Sequence, residues 1–94
     1  MGIDEVQLTK RAGQNLQKLP RPLVDKFFKW VKAVRRSGIR EVRKIKSYHD
    51  EPLQGKRFGQ RSIRLNRSYR AFYVEEKENV AQRICVLEVN KHDY

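Results

Sequence analysis

The residues best suited to chemistry lie between Glu51 and the C-terminus: a carboxylate, two guanidiniums and an imidazole. Glu51 follows Asp50 inside a strongly basic stretch, and a carboxylate set among cations suits a proton acceptor; its plainer role is a loop acid that balances charge. Arg64 stands on the polar side of an alternating strand, Ser62-Ile63-Arg64-Leu65-Asn66, and Arg70 opens the next strand. If those strands pair, two planar guanidiniums on one rigid sheet make a phosphate clamp with donor geometry that lysine lacks. The alternative is a pair of surface cations. His92 carries a charge that is adjustable near neutral pH, and Tyr94 can stack on a base or donate a proton. A histidine and a tyrosine at a chain end can also be incidental, and His49 is read as an ordinary loop residue.

Composition says what such a site would meet. The 94 residues make one domain, 1–94, with a small core, at 38% hydrophobic content and a formal charge of +11. Ten of the cations fall between Arg40 and Arg70 against Glu41, Asp50 and Glu51, so +7 of the charge sits in a third of the chain. Clustering of this kind, interleaved with Phe58, Tyr69, Phe72 and Tyr73, points to a polyanion and first to nucleic acid; the alternative is a solvated basic surface. Lys44, Lys46, Lys56, Arg57, Arg61, Arg67 and Lys91 are the candidate RNA-contacting cations. Cys85 is the single cysteine and lies in an apolar run, which suits a buried thiol and excludes an internal disulfide. No metal-ligand spacing is present, so no cofactor is expected. With no membrane-length apolar run and no signal-peptide pattern, no membrane partner is expected and a cytoplasmic location is.

The elements that must hold these groups follow from periodicity. Ile3 to Leu8 suggests a strand. Thr9 offers an N-cap, and Ala12, Leu16 and Leu19 recur at helical spacing until Pro20. Pro22 opens a second helix whose rows Leu23-Phe27-Trp30-Val34 and Val24-Phe28-Val31 form a broad apolar stripe, with Gly38 as its stop. Ile39, Val42 and Ile45 leave a helical turn and a short strand both open, and 48–55 is read as loop. Two strands follow between Arg61 and Val74, then a polar tip over 75–80. The near-continuous apolar run Arg83 to Val89 suggests a central strand buried on both faces. The order predicts an α+β fold: an N-terminal strand, a two-helix hairpin, then an antiparallel sheet with helices packed on one face.

These residues carry a resemblance. Glu51-Pro52-Leu53, then Gly59, then the run from Ser62 to Tyr73, is similar to the loop and strand pair of YoeB, within the RelE/ParE superfamily of toxins from type II toxin–antitoxin modules. Pro52-Leu53-Gln54-Gly55 also resembles YafQ, and the ending Asn90-Lys91-His92-Asp93-Tyr94 resembles the short histidine-containing tails of both. The resemblance implies a RelE-like fold and a metal-independent endoribonuclease that cuts mRNA in the ribosomal A site, where the 2′-OH attacks its own 3′ phosphate. By position it assigns Glu51 as general base, Arg70 as the stabiliser of phosphate charge, Arg64 as a further cation and His92 as general acid. YoeB has a tyrosine directly after that histidine, whereas here Asp93 intervenes before Tyr94; YafQ has a histidine at the place of Glu51. The implied partners are a cognate antitoxin, the ribosome with its rRNA and mRNA, and operator DNA only through the antitoxin complex. The alternatives are a ParE-like gyrase inhibitor, which shares the fold without the acid/base set, and a non-catalytic basic RNA-binding module.

Overall fold

The computed structural model describes residues 4–78 and 81–91. Strand β1 (Glu5–Leu8) leads into α1 (Lys10–Gln17), α2 (Arg21–Ser37) and the short α3 (Ile39–Val42). A two-residue strand β2 (Glu51–Pro52) follows, then β3 (Arg61–Arg64), β4 (Tyr69–Glu78) and β5 (Ala81–Lys91). Single 3₁₀ turns at Lys46–Tyr48 and Gly55–Arg57 flank β2. The five strands form one sheet in the order β1-β5-β4-β3-β2.

Local chemistry explains the helical layer. The Thr9 hydroxyl oxygen accepts the Ala12 N–H at 3.0 Å and so caps α1. Gly38 stops α2 at a φ of 87°, a conformation that favours glycine, and its N–H bonds the Val34 carbonyl at 2.8 Å. The stretch after it turns as α3, whose first N–H, at Ile39, is accepted by the buried Asp4 carboxylate at 2.7 Å. Leu23, Phe27, Trp30, Val31 and Val34 are buried as the spacing predicts, but Phe28 is exposed and Val24 half-buried, so the stripe is narrower than two full rows. Against it pack Ile63, Ala71, Tyr73, Ile84, Val86 and Val89 from one face of the sheet. The Trp30 and Tyr73 rings meet at 5.5 Å between centroids.

Three expectations change. First, β1 pairs parallel to β5, so the sheet is mixed; every other pairing is antiparallel. Second, β4 and β5 pair from Tyr69–Lys91 out to Glu78–Ala81, so Glu75 to Lys77 are strand rather than tip. Cross-strand polar contacts hold that extension: Gln82 donates to Glu75 at 2.7 Å, and Glu76 faces Arg83. Third, β5 is buried on one face only. Between Phe72–Glu88 and Tyr73–Val86 the register slips by one residue, a β-bulge at Leu87. It turns both Val86 and Val89 inward and leaves Cys85, Leu87 and Glu88 half-buried. Groups at the bulge find partners in α1 and its cap: the Thr9 hydroxyl donates to the Leu87 carbonyl at 2.6 Å, and the Val89 N–H donates to Asn15 Oδ1 at 3.0 Å.

Candidate functional site

The second face of the sheet, away from the helices, carries the polar groups. Glu51 on β2 lies opposite Ser62 on β3, Ser62 opposite Phe72 on β4, and Phe72 opposite Glu88 on β5. Two residues along, Arg64, Arg70 and Asn90 form a second row. Period-2 alternation puts both rows on one face. Arg64 and Arg70 are therefore direct cross-strand neighbours, a like-charge pairing that costs stability unless an anion bridges it. Arg70 is 4% exposed and donates from Nη1 to Ser62 Oγ at 3.0 Å, whereas Arg64 is exposed. Arg64 ends β3, the fourth strand of the order, so it stands near the rim rather than at the sheet centre.

A cleft of about 600 Å³ opens beside these rows, walled by Glu51 to Gln54, Lys56, Arg57, Phe72, Asn90 and Lys91. Its roof is the 3₁₀ turn at Gly55–Arg57, which Arg57 pins to the sheet. The Arg57 guanidinium stacks over the buried Phe72 ring at 4.0 Å, and it donates to Gln60 at 2.9 Å and to Glu88. The Arg57 hydrogen bond holds the Glu88 carboxyl below the usual carboxylate range, against the opposing effect of burial. A larger hollow of about 870 Å³ runs along α2 past Phe28, Lys29 and Tyr48, and it contains none of the residues singled out for chemistry.

The two adjacent acids part company. The Asp50 side chain is 1% exposed and turns toward the helical side, where it accepts from Arg61 Nε at 2.7 Å and from the Tyr73 hydroxyl. Arg43 approaches the same carboxylate and also bonds Glu75. Burial, and then the neighbouring Asp50 charge, push the Tyr73 phenol well above its ordinary value. Glu51 faces the cleft with its side chain 36% exposed, and His49 Nε2 lies 3.0 Å from its Oε1.

The structure therefore brings Glu51, Lys56, Arg57 and Lys91 to one cleft and sets Arg70 and Arg64 alongside it. It separates Arg61, whose guanidinium is committed to Asp50. Lys44 pairs with Glu41, Lys46 lies in the turn before β2, and Arg67 lies in the exposed turn between β3 and β4. Of the aromatics interleaved with the basic cluster, Phe72 and Tyr73 are buried and Tyr69 half-buried, leaving only Phe58 exposed, at 80%. His92 and Tyr94 lie outside the described residues. Cys85 is half-buried, and burial pushes its thiol up. Asn90 lines the cleft and Glu88, opposite Phe72, holds Arg57 over it; neither was a candidate site residue, and the strand register identifies them. Among the described residues no group of three or more His, Cys, Asp or Glu side chains is placed to hold a metal ion, and no helix is long and apolar enough to cross a membrane.

This arrangement of strand, helical hairpin and four further strands is the RelE/ParE toxin fold. The chain superposes on the YoeB/ParE toxin from Agrobacterium tumefaciens with a TM-score of 0.73 at 20% identity, over 95% of this chain and 99% of that one. YafQ from E. coli strain BL21(DE3) gives 0.74 at 10% identity, over 95% and 93%. The toxin–antitoxin complex RelBE2 from Mycobacterium tuberculosis gives 0.67 at 20% identity, over 96% and 99%. No protein-family model and no curated protein matches the sequence.

Proposed function

We propose that this chain is the toxin of a type II toxin–antitoxin module, a cytoplasmic, metal-independent endoribonuclease that cuts mRNA in the ribosomal A site and so arrests translation. One observation carries the reading: the cross-strand grouping of Glu51 with Ser62 and Arg70, beside an open cleft rimmed by Lys56, Arg57 and Lys91. In this reading Glu51 takes the 2′-OH proton as that oxygen attacks the adjacent phosphorus. Arg70, held by Ser62, and Arg64 meet the charge that builds on the phosphoryl oxygens. The bond to the 5′ oxygen breaks, and that oxygen receives a proton from His92, which follows the cleft residue Lys91 in sequence. The products are a 2′,3′-cyclic phosphate and a 5′-hydroxyl. Tyr94 is assigned to the same site, for stacking or proton transfer.

The basic rim, with Lys44, Lys46 and Arg67 beyond it, supports an rRNA and mRNA partner, and the solved complexes of RelB and YefM with toxins of this fold support a cognate antitoxin. Operator DNA would be reached through that complex. Primer extension on mRNA translated by programmed ribosomes tests the proposal. The expected result is A-site cuts with a cyclic phosphate on the upstream fragment, lost in Arg70→Ala and His92→Ala. Growth arrest with loss of DNA supercoiling and intact mRNA would instead favour gyrase inhibition. Ribosome binding that leaves mRNA whole would reduce the protein to a basic binding module.

A further inference from the structure

Beside Glu51 stands a residue that neither periodicity nor resemblance singled out. His49 Nε2 lies 3.0 Å from Glu51 Oε1, and the two side chains are 53% and 36% exposed, so the pair is open to a ligand. The backbone that places it is unusual. His49 has a φ of 46°, and it is the only non-glycine residue with positive φ among the described residues. Such a conformation persists where the surroundings impose it, and it is a pointer to function. Both flanks are anchored. Before it, the Lys46–Tyr48 turn is tied down by the buried Tyr48, and the His49 N–H closes that turn on the Lys46 carbonyl at 3.0 Å. After it, the buried Asp50 carboxylate is gripped by Arg61 and Tyr73. The imidazole is thus carried to the carboxylate by a strained, doubly anchored link.

We propose that His49 is a positioning residue for Glu51: its imidazole, with Nε2 3.0 Å from Oε1, fixes the carboxylate's rotation and leaves Oε2 to accept the substrate hydroxyl proton. The inference rests on the nuclease reading and deepens it. A free carboxylate on an exposed two-residue strand samples several rotamers, and holding one is worth rate because a small misplacement of a reacting group costs heavily.

The test is single-turnover cleavage on programmed ribosomes with wild type, His49→Ala, His49→Gln, Glu51→Gln and the double variant His49→Ala/Glu51→Gln. His49→Ala should cut roughly 10-fold more slowly with ribosome affinity unchanged. His49→Gln, whose amide can still donate to Glu51, should recover to within about 3-fold of wild type. The double variant should be no slower than Glu51→Gln alone, because the histidine acts only through the carboxylate. A full rate in His49→Ala, or the same loss on both backgrounds, would overturn the proposal. The pairing is also read without any cleavage: the His49 ring resonances should move on Glu51→Gln, and unmoved resonances would overturn the contact. Should the wild type cut nothing while those resonances still move, the nuclease reading fails and takes the positioning role with it, although the contact stands.

Discussion

Asp50 and Glu51 are neighbours of identical charge, yet the fold uses them in opposite ways. Asp50 is the hub of a closed knot, with Arg61, Arg43 and Tyr73 around a carboxylate that solvent barely touches. Glu51 looks onto an open cleft with one histidine beside it and cations at the rim. The first arrangement satisfies a buried charge and so holds the short β2 against β3. The second leaves lone pairs available, as the proposed proton transfer would need. A gripped acid beneath and an open one above is the arrangement on which the proposed cleavage would draw.

The largest expected effect separates the two acids. Glu51→Gln should lower the cleavage rate on ribosomes by about 10²–10⁴-fold while changing unfolding free energy by no more than ~0.5 kcal/mol. Equal losses of stability and rate would erase the distinction. Asp50→Ala should do the reverse, costing about 3 kcal/mol in urea unfolding because the surrounding arginines lose the carboxylate that compensates them. A smaller change tests the knot through one bond. Tyr73→Phe should cost about 1 kcal/mol at neutral pH. Because the Tyr73 phenol is held above its free value of 10.0 by burial and by Asp50, its contribution is complete below about pH 10 and is lost as pH rises through the higher folded value. Wild type should therefore lose its advantage over Tyr73→Phe only in alkaline unfolding.

The smallest effect probes the cleft roof. Glu88 is held below its free value of 4.5 by the Arg57 hydrogen bond, so its contribution is present above about pH 4.5 and is lost as pH falls through the lower folded value. Glu88→Gln should cost about 0.5 kcal/mol at pH 7, and the gap from wild type should close on acidification. A gap independent of pH would mean that the ion pair does not hold the Gly55–Arg57 turn over Phe72.

Much of this was legible in the chain. The Thr9 cap, the Leu23-Phe27-Trp30-Val34 row, the Gly38 stop and the alternation through Ser62-Ile63-Arg64 all emerge in the structure. The pairing of Arg64 with Arg70 also follows from a short turn between two adjacent strands. Less visible was β2, because two residues carry no periodicity, and with it the opposition of Glu51 to Ser62. The apolar run of β5 suggested burial on both faces, since a bulge leaves no mark in hydrophobicity alone. Arg61 looked like another rim cation because charge counts cannot tell which guanidinium will meet a buried carboxylate.

What the residues settle unaided is whatever depends on neighbours three or four positions away: helix limits, caps, the glycine stop and the two-sidedness of each strand. Those preferences are local, and a few atoms enforce them. Which face Asp50 and Glu51 each take, where β5 slips, and which histidine meets which carboxylate are decided only when segments far apart in the chain pack together. Competing registers there share the same local preferences, and only burial and hydrogen bonding across the assembled sheet tell them apart.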